Sequence, residues 1–317
     1  RQVGSYTPVG AGGLLVERQA GRATRDSFRT LTGDEREYQA WAAFKEKLHE
    51  LATVIEPTLT RPLPRADELR SRIDTDLWTG VVEQPLGELV ESTFGDDTVC
   101  GLVLTDALIG TFASAHDPSL RQNRCFLYHV IGNGSGEWRV PVGGMGALTA
   151  ELIRVAEDAK VEIHTGCAVE TIEPLAEGGA TLQLANGESI TAETILVNCA
   201  PATLRRLLGE AYSPPVGSQT KINIVLRRLP RFRSEIEPAM GFAGTLHLGQ
   251  GYSRLQAAHE EALAGHIPDP MPCEVYCHTL TDGSILDPEL RAAGYHTLTL
   301  FGMHTPPDLF TADPEGS

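Results

Sequence analysis

The sequence predicts an α+β fold, and three patterns carry that prediction. Trp41, Phe44, Leu48, Leu51 and Ile55 recur at three- and four-residue steps, which is one apolar face of a helix. From Val161 the period drops to two, and Ala185-Asn186-Gly187-Glu188 carries the Asn-Gly pair of a two-residue hairpin. Ile195-Leu196-Val197 is a short apolar run of the kind that forms a strand buried on both faces.

Taken in order, residues 1–33 read as loop-rich, with Gly4, Pro8, Gly10, Gly12 and Gly13. A helix follows from Asp34, a good N-cap, to a stop at Pro57. Residues 58–66 form a Pro/Arg-rich linker, and helices are expected near 66–74, 84–93 and 97–112. The last of these is apolar almost all round from Val99 to Phe112 and should be buried. A glycine-rich connection spans Gly132–Gly146, and a helix after it places Leu148, Leu152, Val155 and Ala159 on one face. Strands are expected at Val161–Ile163, at Val169–Ile172, on both sides of the Asn-Gly turn, and at Ile195–Val197. A short helix at 201–209 and a strand from Thr220 to Leu229 come next. The chain continues with a strand near 244–248, a helix near 253–264, and strands near 273–280 and 295–302.

The chain has 317 residues, with 26 basic and 42 acidic side chains and a net charge of −16. Such a balance, without a basic stripe, argues against a nucleic-acid partner. No apolar run approaches the ~18 residues of a membrane span, and Arg1–Gly10 has no apolar leader core. The first residue is not Met and the opening is abrupt, so the chain is expected to be a piece of a longer protein. The six cysteines are scattered among apolar residues, which suits free thiols in a reducing, cytoplasmic setting. Cys273-x-x-x-Cys277 followed by His278 has no second ligand pair at zinc spacing. It reads as a strand with both thiols facing one core side, and no metal is expected.

Gly10-Ala-Gly12-Gly13 fails as a dinucleotide loop, because Leu15 stands where the third glycine belongs. There is no phosphate-binding P-loop, Gly-x-Ser-x-Gly elbow or His-Glu-x-x-His. Gly143-Gly144-Met145-Gly146 is more informative because it directly precedes a helix, where backbone N–H groups can face an anion or a cofactor edge.

This order of parts resembles the two-dinucleotide-binding-domain flavoproteins, which include phytoene desaturases, amine oxidases and protoporphyrinogen oxidase. The nearest resemblance is to the phytoene-desaturase-related branch of pyridine nucleotide-disulphide oxidoreductase domain-containing proteins. Its phrases run through Thr105-Asp106-Ala-Leu-Ile-Gly110, Ala115-His116, Tyr128-His129-Val-Ile-Gly132 and Val142-Gly-Gly-Met-Gly-Ala-Leu148. They continue through Asn198-Cys-Ala-Pro201, Thr220-Lys-Ile-Asn223, Arg228-Leu-Pro230 and Leu286–His296.

The resemblance implies the middle portion of a two-domain FAD-dependent fold, lacking the N-terminal dinucleotide-binding βαβ unit. A mostly helical substrate-domain part would occupy 1–142, an FAD-domain part 143–209, and a mixed-sheet substrate-domain part 210–317. FAD would be held by Gly143, Gly144 and Met145, by Ala168 and Val169 at the adenine, and by Ala200 and Pro201 near the phosphates. Lys221 matches the lysine that lies beside flavin N5 through a water, where it would stabilise the reduced anionic ring. His129 is a candidate proton carrier and Trp138 a pocket wall. The implied reaction is hydride removal from an apolar small molecule by the full-length enzyme, the present piece alone being inactive. Association with a membrane surface is compatible with such a substrate, and no motif fixes the oligomeric state. The alternative is a non-catalytic binding protein that reuses the substrate domain without flavin.

Overall fold

The computed structural model describes residues 3–132, 139–213 and 216–311. They form two compact units: one takes the chain up to Met145 and again from Gly217, the other spans Gly146–Val216.

The first unit opens with a hairpin where the sequence predicted loop, β1 (Val3–Val9) and β2 (Gly12–Glu17). Gly13 has a packing role within it. A Cβ on Gly13 would lie 2.6 Å from the Tyr6 ring, whose hydroxyl donates to the Gly12 carbonyl. Helix α1 (Arg22–Thr32) follows, its start held by the Glu17 carboxylate, which accepts from the Gly21 and Thr24 N–H groups. Helix α2 (Arg36–Ile55) buries Trp41, Phe44, Leu48 and Leu51 as their spacing predicts. The Asp34 carboxylate accepts from the Arg36 N–H at its start, and the α-helix ends two residues before Pro57.

Three short helices, α3 (Ala66–Arg70), α4 (Thr75–Trp78) and α5 (Leu86–Thr93), lead to α6 (Asp97–Leu108). Helix α6 is the buried one, capped by Asp96 and stopping short of Gly110, whose φ of 95° ends the helical run. Helix α7 (Arg121–Ile131) was not expected from the sequence. These helices close the main core, centred on Phe28, Leu104, Leu108 and Phe126. Trp138 lies outside the described residues.

Helix α8 (Gly144–Asp158) begins at the seam between the units. The second unit adds the antiparallel strands β3 (Val169–Pro174), β4 (Ala180–Leu184) and β5 (Ser189–Ala192), in that order, and helix α9 (Pro201–Leu207). The Asn-Gly turn joins β4 to β5 as predicted, with Gly187 at a φ of 86°. Ile172, Ala180 and Leu207 form a small core there.

Three expectations fail in this unit. Helix α8 buries none of its residues, so Leu148, Leu152 and Val155 are exposed. Val161–Ile163 and Ile195–Val197 form no strand, and Leu196 is 94 % exposed. The reason is common to both segments: an apolar run becomes a strand only beside a partner that takes up its backbone groups, and neither has one among the described residues.

The chain returns to the first unit with β6 (Gln219–Leu226), α10 (Pro238–Gly241), β7 (Thr245–Leu248), α11 (Tyr252–Leu263) and β8 (Cys273–Tyr276). It ends with α12 (Pro288–Ala292), β9 (His296–Met303) and α13 (Asp308–Thr311). The six-stranded mixed sheet has the order β2-β1-β7-β8-β9-β6, with β1 and β7 parallel. One face carries a second core of Tyr6, Leu246, Cys273, Val275, Cys277 and Leu298, so both cysteines do face one core side. The other face meets the helices. Gly101 of α6 approaches the Gln250 carbonyl so closely that a Cβ would sit 1.9 Å from it.

Helices α5 and α11 are tied at the surface: Tyr252 Oη donates to Glu91, and His116 Nε2 lies 2.9 Å from the same carboxylate oxygen. The Tyr252 and His116 bonds hold the Glu91 carboxyl below its ordinary pKa. Tyr252→Phe is expected to cost about 1 kcal/mol of stability, read by urea unfolding. Unchanged stability would show that water replaces the bond fully.

Candidate functional site

The site is built on the helical face of the mixed sheet. Lys221 on β6 lies opposite Phe301 on β9, Phe301 opposite Glu274 on β8, and Glu274 opposite His247 on β7. The two-residue period of a strand puts these side chains in one row on one face. Thr7 of β1 extends it, its Oγ1 lying 3.1 Å from His247 Nδ1.

Lys221 is exposed because β6 is the edge strand, and its ammonium sits 5.4 Å from the centre of the Phe301 ring, a cation–π distance. Two steps inward the row turns acidic and dry. Glu274 is only 3 % exposed. Thr105 of α6 donates to its Oε1 at 3.1 Å and the Tyr276 hydroxyl donates to its Oε2. Burial pushes the Glu274 carboxyl up to about 7, against the Tyr276 bond, with the Asp106 carboxylate adding to the rise. Burial likewise raises Asp106 on α6, opposed by the charges of His129 and Lys45. Burial alone pushes His247 down to about 4, so it stays neutral.

His129 lies on α7, not on the strand row. Its Nδ1 donates to the Cys125 carbonyl at 2.9 Å, with the Cys125 sulfur at 3.8 Å. Burial opposes charge on the ring, yet the Cys125 sulfur and the Asp106 carboxylate outweigh it and raise the His129 pKa to about 9. The arrangement therefore holds a cation at an open sheet edge, a carboxyl that keeps its proton to near neutrality, and an imidazolium in the field of both acids.

The sequence reading missed Glu274, Tyr276, Thr105 and Asp106. The signal was present as an acid within the core-type strand Cys273-Glu-Val-Tyr-Cys277 and another within the apolar run Val99–Phe112. Either acid needs a partner once buried.

The residues expected at a cofactor divide between the units. Gly143 and Gly144 have φ of 82° and 77°, and the Gly143 N–H donates to the Asp282 carboxylate at 2.6 Å, so an internal anion engages this turn. Met145 is exposed. In the second unit Val169 opens β3 opposite Leu184, and its side chain packs in the small core with Leu204 of α9. Ala200 caps α9 and Pro201 is its first residue. Helix α9 packs on β3, so this unit by itself assembles Val169 and the Ala200–Pro201 turn, with Ala168, Ala200 and Pro201 all exposed. Among the described residues no group of three His, Cys, Asp or Glu side chains is placed to hold a metal.

Residues 27–258 match the family model described as flavin containing amine oxidoreductase. The chain belongs to this family. Flavin is the family's cofactor, in line with the FAD that the resemblance implied.

Relatives of this chain include uncharacterized proteins of Mycobacterium tuberculosis and Mycobacterium bovis. Each is 40% identical over 336 residues, covering 100% of this chain and 61% of the relative. Pyridine nucleotide-disulfide oxidoreductase domain-containing protein 2 of Mus musculus is 28% identical over 250 residues, 71% of this chain and 42% of that protein. The branch named from the sequence phrases is thus among its relatives. The chain spans about three fifths of the length of the mycobacterial relatives it matches.

Proposed function

We propose that this chain is part of an FAD-dependent oxidoreductase of the phytoene-desaturase-like kind, which removes hydride from an apolar substrate and is inactive in this form alone. The observation that carries the proposal is Lys221, on the open edge of the mixed sheet in a flavin-containing family, with its ammonium over Phe301. Bound FAD supplies the two-electron acceptor. Ala168 and Val169 would hold the adenine side, and the Ala200–Pro201 turn would hold the phosphates. Lys221 orients a water and offsets negative charge, which it does best where few other dipoles compete. Glu274, which burial keeps protonated to near neutrality, adds no negative charge to the row below about pH 7. His129 holds a proton nearby.

The test uses the full-length protein purified with its flavin. Lys221→Met is expected to slow flavin reduction or reoxidation more than ~10-fold, about 1.4 kcal/mol of barrier. If both rates stay within ~2-fold of the parent, Lys221 has no such role. A full-length protein that neither retains nor takes up FAD overturns the proposal and leaves the non-catalytic binding protein as the better reading.

A further inference from the structure

The sheet edge that carries Lys221 continues into an unusual segment. Residues 211–234 contain five cations, Lys221, Arg227, Arg228, Arg231 and Arg233, and no acid. A chain with 42 acids in 317 residues averages about three in a stretch of that length.

The segment is fixed in place and displays its charges outward. After β6 ends, Leu229, Phe232 and Ile236 turn inward onto the second core. Phe232 packs edge-on to Tyr6 at 5.4 Å and against Phe242 at 4.9 Å, and a Cβ on Gly241 would lie 2.3 Å from its ring. Ser234 Oγ lies 2.8 Å from the Tyr6 hydroxyl. The four arginines between and before these anchors are all exposed. Among the described residues none of them makes an ion pair or hydrogen bond, whereas Arg36, Arg121, Arg154 and Arg254 each hold a carboxylate. Exposed apolar side chains flank the arginines along the chain: Ile222 and Val225 on β6, and Met240 on α10.

We propose that the arginine segment beyond this edge strand, from Arg227 to Arg233, docks on an anionic phospholipid bilayer. Unpaired guanidinium groups suit lipid phosphates, which they bind in a forked, two-bond geometry. The apolar side chains flanking them suit the boundary between headgroup and acyl chain, which a nucleic acid does not offer. A flat anionic surface can meet this one segment of an otherwise acidic chain, while a long polyanion would also meet the acidic remainder. The proposal goes beyond the flavin reading and stands or falls without it.

The test is co-sedimentation of the 317-residue chain with vesicles of phosphatidylcholine, alone or with about one third phosphatidylglycerol. Binding is expected only to the anionic vesicles and to weaken as salt rises. The variant Arg227→Gln/Arg228→Gln/Arg231→Gln/Arg233→Gln should lose on the order of 10²-fold in partitioning while keeping its unfolding midpoint, since no paired group is removed. The variant Arg22→Gln/Arg61→Gln/Arg72→Gln/Arg124→Gln makes the same change in net charge elsewhere on the surface and should bind as the parent does. Equal binding to both kinds of vesicle, or equal losses in the two variants, overturns the proposal. So does binding to a DNA duplex without binding to vesicles. Self-association of the first variant without any vesicle binding by the parent would mean that the arginines only protect a sheet edge.

Discussion

Glu274→Gln is expected to remove a slope of about 3 kcal/mol from the pH dependence of stability between pH 4.5 and pH 7. The folded-state value of about 7 lies above the 4.5 of an exposed glutamate, so the folded chain binds this proton more tightly than the unfolded chain. The stabilisation is therefore complete below about pH 4.5 and is lost as pH rises through 7. Gln keeps the shape and cannot ionise, so the variant should gain on the parent steadily over that window. Asp106 shifts in the same direction, and His129 carries charge nearby, which is why the comparison must be parent against variant at each pH. Urea unfolding across the series reads it. Equal slopes in the two proteins would show that Glu274 is already ionised in the fold.

Gly101→Ala is the second large effect, with an expected loss of about 3 kcal/mol. The added methyl would meet the backbone carbonyl of Gln250 at 1.9 Å, and a backbone atom cannot swing aside as a side-chain tip can. Helix α6 would have to lift from the loop that leads into α11, loosening the contact through which Thr105 reaches Glu274. Gly146→Ala is the matched control, because that Cβ meets nothing within 4 Å. If both variants melt together with the parent, the close approach of α6 is not a determinant of stability.

The fold was legible where one physical signal was strong and local. The three- and four-residue steps from Trp41 to Ile55 gave α2, the apolar run from Val99 gave α6, and Asn186-Gly187 gave its turn. The β1–β2 hairpin was hidden because its glycines looked like loop. Gly13 is a spacer for the Tyr6 ring, a fact of packing that no periodicity carries. The strands expected at Val161–Ile163 and Ile195–Val197 show the converse. Composition states what a segment would do beside a partner, and not whether the partner is there. At the site, Lys221 stood out through its place in a strand that resembles a known one. Glu274 did not, because its importance arises from Thr105 and Tyr276 closing over it, and Thr105 lies 169 positions away.

The parallel pairing of β1 with β7 joins Ser5 to Thr245. On a ribosome adding ~5–20 residues each second, the first strand waits roughly 10–50 s for its neighbour to be made. All of the second unit emerges during that interval. The β1–β2 hairpin must therefore spend the interval with one edge open, and a newly made chain needs a chaperone there until Thr245–Leu248 has emerged.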